Sequence, residues 1–413
     1  MTASLARTTA RRYWLAQFFQ GLWFTGQILF PFVLAKSLNA PGWLVTLSVV
    51  METTGMVAGL YWGGIMQTGG RRRALVWGGL AGRAVLLAMV MVVSPGWFVL
   101  LLVPVYLFGS MVYPAQNSIL QENIPAARRG DVFGRGASVM HGTAAACSVV
   151  VGLTLDADPL AFRLIYPVLG VLGFGYPLIL STIPRPAAGE GERPGGPQAP
   201  PARSNLAAAL WHPFVQARDT FRRDRAYLWY QLNFTVYGIA FIMLVPVIPL
   251  YFNRELHLPY QDIAQARILI GSLGLAFLGP LAGRLSDRIH PVRLCALSFG
   301  WVVMYPLMLV AGPALELSPS ATAYAAFAIY TVGMAGVNIT WNVGSIAFAP
   351  PGQGGHYQGI HVAMVGLRGI LAPILGYAIL SALGYREVFV AAAALFLLAA
   401  VSSALLARRV TSY

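Results

Sequence analysis

Four stripes of amide and aromatic residues interrupt an otherwise apolar sequence. The first is Gln17, Gln20, Phe24 and Gln27, spaced i, i+3, i+7, i+10. The second is Tyr106, Ser110, Tyr113 and Asn117, spaced i, i+4, i+7, i+11. The third is Tyr230, Asn233 and Tyr237, and the fourth is Tyr330, Asn338 and Asn342. Each spacing collects its side chains on one helical face. An amide is costly against lipid and well placed against a wet cavity. Amides beside flat rings suit a neutral polyol, and equally an amphipathic organic compound. The competing reading is hydrogen bonding between helices, with interfacial aromatics such as Tyr13, Trp14 and Tyr324.

A few charges lie inside apolar runs: Glu52, Arg83 and Arg368. At membrane depth each costs roughly 3 kcal/mol on insertion scales and calls for a partner or a function. Glu52 could pair with Arg83 or with Arg368, carry a proton, or touch substrate. His141 and His361 could titrate near neutrality, against the plainer reading of satisfied buried imidazoles. No phosphate-cradling G-x-x-x-x-G-K is present, and Lys36 is the sole lysine. No zinc spacing and no nucleophile–base constellation occurs. An enzyme is therefore the weakest class, and neither a cofactor nor a metal is expected. Cys147 and Cys295 read as small core hydrophobes.

The elements that must hold these residues are membrane helices. The chain is 57% hydrophobic and only 10% charged over 413 residues, against about a quarter charged in soluble domains. About twenty apolar residues cross a bilayer. That rule predicts about twelve spans, near 13–36, 42–65, 74–94, 97–117, 136–156, 164–183, 227–251, 266–286, 292–312, 321–343, 360–382 and 386–407. The fold class is thus all-α, with no barrel alternation.

The net charge of +14 lies in loops beside spans, which argues against a nucleic-acid partner. If the spans alternate, one side holds Arg7, Arg11, Arg12, Arg71, Arg72, Arg73, Arg128, Arg129, Arg135, the middle loop, Arg284, Arg288, Arg293, Arg408 and Arg409. The other side holds Lys36, Arg163, Arg254, Arg267 and Arg386. The crowded side is expected to be cytoplasmic, with both termini there. Residues 1–183 and 226–413 then form two six-helix halves. Between them, 184–225 begins with the Pro- and Gly-rich "PRPAAGEGERPGGPQAPPARS", a linker composition. Its second part places Leu206, Leu210, Phe214 and Phe221 near one helical face. That fits either an interfacial amphipathic helix or a lead-in to span seven.

The halves resemble each other. Asn117, Pro125 and Gly134 match Asn342, Pro350 and Gly359 at one offset. "GGIMQTGGRRR" after span two aligns with "GRLSDRIHPVR" after span eight, Gly63 on Gly283 and Gln67 on Asp287. Two six-span halves, a middle linker and a G-x-x-x-D-R-type loop after the second span of a half resemble the major facilitator superfamily. The second copy keeps Gly283, Asp287 and Arg288. The first keeps Gly63, Gly70, Arg71 and Arg72 but has Gln67 and Thr68 in the Asp–Arg places.

The resemblance implies a secondary transporter working by alternating access, with spans one, four, seven and ten around a central cavity. Independently of the resemblance, Asp287 near a helix end could pair with an Arg and contact backbone N–H groups of the opposite half. The loop motifs (Gly63, Gln67, Arg71; Gly283, Asp287, Arg288) would then form a cytoplasmic latch, against the alternative of solvated loops that follow the positive-inside rule. The buried Glu52, Arg83 and Arg368, with His141, are candidates for coupling or gating. The resemblance sets spans two and eleven face to face, so that Glu52 with Arg368 would cross the seam. The chain departs from many proton-coupled members: Val105 stands near the usual span-four Arg, span one has no acid, and the Gly-Pro pattern of span five is missing. A related "GLRGILAPILG" sits in span eleven instead. The expected partners are a small-molecule substrate, the lipid bilayer and, as one coupling ion, protons, acting on a monomer. The expected activity is export of a small amphipathic compound from the cytoplasmic (inner) membrane. The alternatives are transport of a neutral sugar-like solute, or a lipid flippase or non-transporting sensor.

Overall fold

The computed structural model describes residues 3–65, 71–184, 215, 217–286, 288–350 and 354–410. The described residues are helices joined by short turns. In hydrocarbon each backbone N–H and C=O must be satisfied within its own segment, and a helix does this. In chain order the membrane segments are α1 (Ala3–Lys36), α2 (Gly42–Ile65), α3 (Arg71–Met91), α4 (Pro95–Gly109, continued as Val112–Asn123), α5 (Ala126–Ala157) and α6 (Phe162–Ser181). The second set is α7 (Arg225–Arg254), α8 (Tyr260–Ser286), α9 (Pro291–Ala311), α10 (Pro319–Val343), α11 (Gly354–Leu383) and α12 (Tyr385–Val410). Ten of these are long and apolar enough to span. The 24 residues of α2 and the two-part α4 complete twelve.

Side-chain caps start several segments. Ser94 and Ser318 accept from the N–H groups of Trp97 and Ala321, each with proline at the first helical position. Asp224 accepts from Tyr227 N–H at 2.8 Å, which starts α7 as the chain leaves the linker.

The two sets repeat one packing scheme. α1 packs on α5 and α6, as α7 packs on α11 and α12. α3 packs on α6 as α9 does on α12, and α2 on α4 as α8 does on α10. Two six-helix bundles follow, and they meet along α2–α11, α5–α8 and α1–α7. Gly369 permits the first of these seams. A Cβ added there would lie 2.7 Å from Thr53 Cβ, whereas the glycine lets Thr53 Oγ1 donate to the Gly369 carbonyl at 2.6 Å. Outward faces stay apolar and uncovered, as at Leu164, Phe277 and Leu371, the expected dress of a lipid-facing helix.

Three segments depart from the sequence-based expectation. α8 begins at Tyr260, six residues before the expected 266, and contains a π-helical turn over Gln265–Ile270. α4 is interrupted at Ser110–Met111. α3 ends in a 3-10 stretch, Val85–Met91. Of the expected amphipathic helix, Leu206, Leu210 and Phe214 lie outside the described residues, while 217–223 are helical. Phe221 is described and packs beside Tyr227, ring centroids 5.8 Å apart.

Candidate functional site

The end of the bundle bearing the linker is called here the linker end, and its opposite the far end. At the far end the halves are laced together. Lys36 Nζ donates to Leu258 O at 2.6 Å. Asn253 Nδ2 donates to Ala35 O at 2.9 Å, and Arg254 Nη2 to Ala40 O at 3.2 Å. Ser37 Oγ and Tyr260 Oη share a hydrogen bond of 2.6 Å. Asp156 accepts from the backbone N–H of Tyr260 and of Gln261. Nearer the middle, His141 Nδ1 and Ser272 Oγ lie 3.3 Å apart across the α5–α8 seam, with Phe24 edge-on to the imidazole. Among the described residues, the cross-half hydrogen bonds run from this middle level to the far end. The described conformation is therefore sealed at the far end.

Glu52 sits at the level where the seal begins. Gln27 Nε2 donates to its Oε1 at 3.0 Å, and Trp23 Nε1 donates to Gln27 Oε1 at 3.2 Å. The Arg83 guanidinium lies over the Trp23 ring, 4.6 Å from its centroid. Among the described residues no ion pair joins Glu52 to Arg83 or to Arg368, so neither expected pairing forms. Arg368 instead donates through Nη1 to the Phe234 carbonyl and packs on Gly238, where any Cβ would collide with it. The cation whose charge acts on Glu52 is Arg267, from the other half.

Arg267 lines a small pocket that opens partly to the outside. Ile28, Pro31 and Phe32 of α1 form one wall. Phe241 and Leu244 of α7, Tyr305 of α9, and Phe327 and Tyr330 of α10 form the other. The guanidinium carbon stands 5.5 Å from the Phe327 centroid and 5.7 Å from that of Tyr330. A ladder of near-parallel rings leads to it: Phe299 on Tyr237 at 4.4 Å, Tyr237 on Phe241 at 6.1 Å, and Phe241 on Tyr330 at 6.1 Å. The sequence-based expectation put Arg267 at the outer edge of span eight, at the start of 266–286. The signal that could have found it is Pro259–Tyr260, a helix start that puts Arg267 two turns inside the segment.

The stripes divide between cavity and core. Gln27 and Tyr330 belong to the site just described, and Tyr237 stands in the ring ladder that leads to it. Gln17 donates to Gln116 Oε1 at 2.9 Å, and Tyr176 Oη donates to the same oxygen, which is hydrogen bonding between helices of one half. Gln20, Tyr106 and Asn233 are buried. Tyr230 is buried and donates to Thr340 O at 3.0 Å. Asn117 is exposed while its neighbour Gln116 is buried, and Asn338 is exposed. The side chains of Tyr113 and Asn342 lie outside the described residues. His361 is fully buried against Gln231 Oε1 at 3.0 Å, a core position.

Of the expected latch, Gln67 and Asp287 lie outside the described residues. Gly63 falls in the last turn of α2, Gly283 faces open space in α8, and Arg288 is exposed in the turn that follows. Arg71 is engaged within its own half: it pairs with Glu122 at 2.6 Å, and Glu122 also accepts from Ser118. Its partner is therefore not the opposite bundle. Cys147 and Cys295 are free thiols. Among the described residues no three metal-ligating side chains gather.

The family model described as Major Facilitator Superfamily matches residues 13–367. The chain belongs to that superfamily. No curated protein sequence matches it. Among solved structures it is similar to a mutant of a peptide transporter, POT, in complex with sulfate, with TM-score 0.74 and 13% identity over 97% of this chain and 95% of that one. It is similar to a bacterial homologue of the human lysosomal transporter Spinster in an inward-facing, unoccupied conformation, with TM-score 0.66 and 15% identity over 99% and 98%. It is also similar to the human organic anion transporter MFSD10, with TM-score 0.62 and 14% identity over 98% and 100%.

Proposed function

We propose that this superfamily member is a secondary transporter of the cytoplasmic membrane that exports a small amphipathic organic compound by alternating access. In this reading both termini and the linker 184–225 are cytoplasmic. The halves 1–183 and 226–413 rock about the α2–α11 and α5–α8 seams. The described state is closed outward, and substrate enters from the linker end. Closure at that end would use the Gly283–Arg288 loop as its latch.

One observation carries the reading. Glu52 of the first half lies next to the Thr53–Gly369 seam contact and under the charge of Arg267 of the second half, and Arg267 lines an aromatic pocket. A group at such a seam changes surroundings whenever the halves move, which any coupling residue must do. We assign Glu52 the exchangeable proton of an antiport cycle. The titratable and charged groups that face it are Tyr106 and Arg267. Gln27 holds the carboxylate in position. The test is flux in proteoliposomes under an imposed proton gradient, comparing wild type with Glu52→Gln. Gradient-driven accumulation by wild type alone supports the assignment, and equal accumulation by both removes Glu52 from coupling.

A second reading, transport of a neutral sugar-like solute, is favoured by Asn233. Its buried Nδ2 has no hydrogen-bond partner among the described residues. Protection by sugars with no effect of pH would select it.

A further inference from the structure

The Arg267 guanidinium has no ion-pair or hydrogen-bond partner among the described residues. The ring faces of Phe327 and Tyr330 lie beside it instead. Aromatic faces attract its charge but leave its five N–H donors unanswered. A donor set of that kind in a low-dielectric pocket is matched by a planar acceptor, and a carboxylate accepts two parallel N–H bonds from an arginine. The backbone supports the placement. Arg267 lies in the π turn of α8, a local irregularity that alters which residues face inward and that recurs at functional sites. The remaining wall is apolar: Phe241, Leu244 and Tyr305 on one side, Ile28 and Phe32 on the other.

We propose that this pocket takes an amphipathic organic anion, a carboxylate on a flat aromatic body, with the acid group on Arg267 and the ring against the pocket wall formed by Phe241, Tyr305 and Tyr330. The proposal rests on the transporter reading and narrows its substrate class. Glu52 supplies the competing negative charge from the opposite half. An entering carboxylate takes over Arg267 and loosens the electrostatic link between the halves.

The test uses three probes of one shape: 1-naphthoate, 1-naphthalenemethanol and 1-naphthylmethylamine. Their dissociation constants are measured by thermal unfolding of the purified full chain. The expected result is that naphthoate binds at least about tenfold tighter than the alcohol or the amine, roughly 1.4 kcal/mol. Arg267→Gln abolishes that preference. Arg267→Lys, which keeps the charge and loses the fork, retains part of it and serves as the deciding variant if the glutamine form does not fold. Equal affinity for all three probes, or an unchanged preference in the folded variant, overturns the proposal. Counterflow of the same probes in proteoliposomes separates the two levels. Movement of the alcohol or amine without naphthoate binding keeps the transporter and removes the anion site. Naphthoate binding with no counterflow of any probe keeps the site and removes the transporter.

Discussion

Asp156 of the first half caps the start of α8 in the second. Its two carboxylate oxygens accept from Tyr260 N–H at 2.6 Å and from Gln261 N–H at 2.8 Å. A carboxylate at a helix N-terminus satisfies orphan donors and meets the positive end of the helix dipole. Here the capping residue and the helix belong to different six-helix bundles, so in the proposed cycle the cap is made only when the far end is shut.

Replacing Asp156 should therefore unbalance the conformations more than it harms the fold. Loss of an N-cap costs about 1 kcal/mol, and the carboxylate is exposed, which limits the effect to roughly a fivefold shift in population. Asp156→Ala should raise the labelling rate of a cysteine introduced at Leu258, a buried far-end position, with melting temperature nearly unchanged. An unaltered labelling rate would show that the cap does not hold the gate.

Arg71 and Glu122 predict the opposite pattern. The arginine side chain is 7% exposed and the carboxylate 28%, and both lie in one half. Removing one partner of a buried pair costs about 3 kcal/mol, and partial solvation reduces this. Arg71→Gln should lower the melting temperature by several degrees and leave the balance between inward and outward states alone. A conformational shift with stability preserved would return Arg71 to the latch.

The ring ladder predicts a graded loss of binding. Phe241 stands between Tyr237 and Tyr330 and lines the pocket. Phe241→Ala should weaken an aromatic ligand by about tenfold, since buried aromatic pairs add roughly 0.5–1.5 kcal/mol beyond the area they cover. Phe241→Tyr should cost little. Equal affinities in wild type and Phe241→Ala, from isothermal titration, would place the ligand elsewhere.

His290 adds a pH effect outside the membrane segments. Burial, with Arg293 beside it, holds its imidazole below the ordinary histidine range. Neutral, its Nδ1 accepts from Val292 N–H at 3.3 Å and caps α9. The unfolded chain takes up this proton first as pH falls, so the contribution is present at neutral pH and is lost below about pH 6.5. His290→Asn should keep a cap and flatten that part of the melting-temperature profile; a profile identical to wild type would assign the acid sensitivity to another group.

The helices and their two-bundle arrangement could be read in the sequence because lipid tolerates so few solutions. Long apolar runs, Arg-rich loops and a Pro-Gly linker leave little else to build. The site was less legible. The stripe Tyr106, Ser110, Tyr113, Asn117 assumes one unbroken helix, yet α4 breaks at Ser110–Met111. The face shifts beyond the break, and Gln116 rather than Asn117 turns inward. Arg267 was missed because charge argues for the edge of a span, and only the neighbouring bundle reveals that this charge is inside. Gln27 and Glu52 were both noticed, but 25 residues separate them, and no periodicity within one helix could join them.

In the proposed cycle Glu52, at the seam and under the charge of Arg267, couples the motion of the halves to a proton. The most direct measurement is proton-gradient-driven flux of an amphipathic probe in proteoliposomes, wild type against Glu52→Gln, with folding checked by size-exclusion profile. The glutamine can still accept from Gln27 but cannot ionise. The expected result is at least about a tenfold loss of gradient-driven flux with a normal profile. Normal flux in folded Glu52→Gln would contradict it.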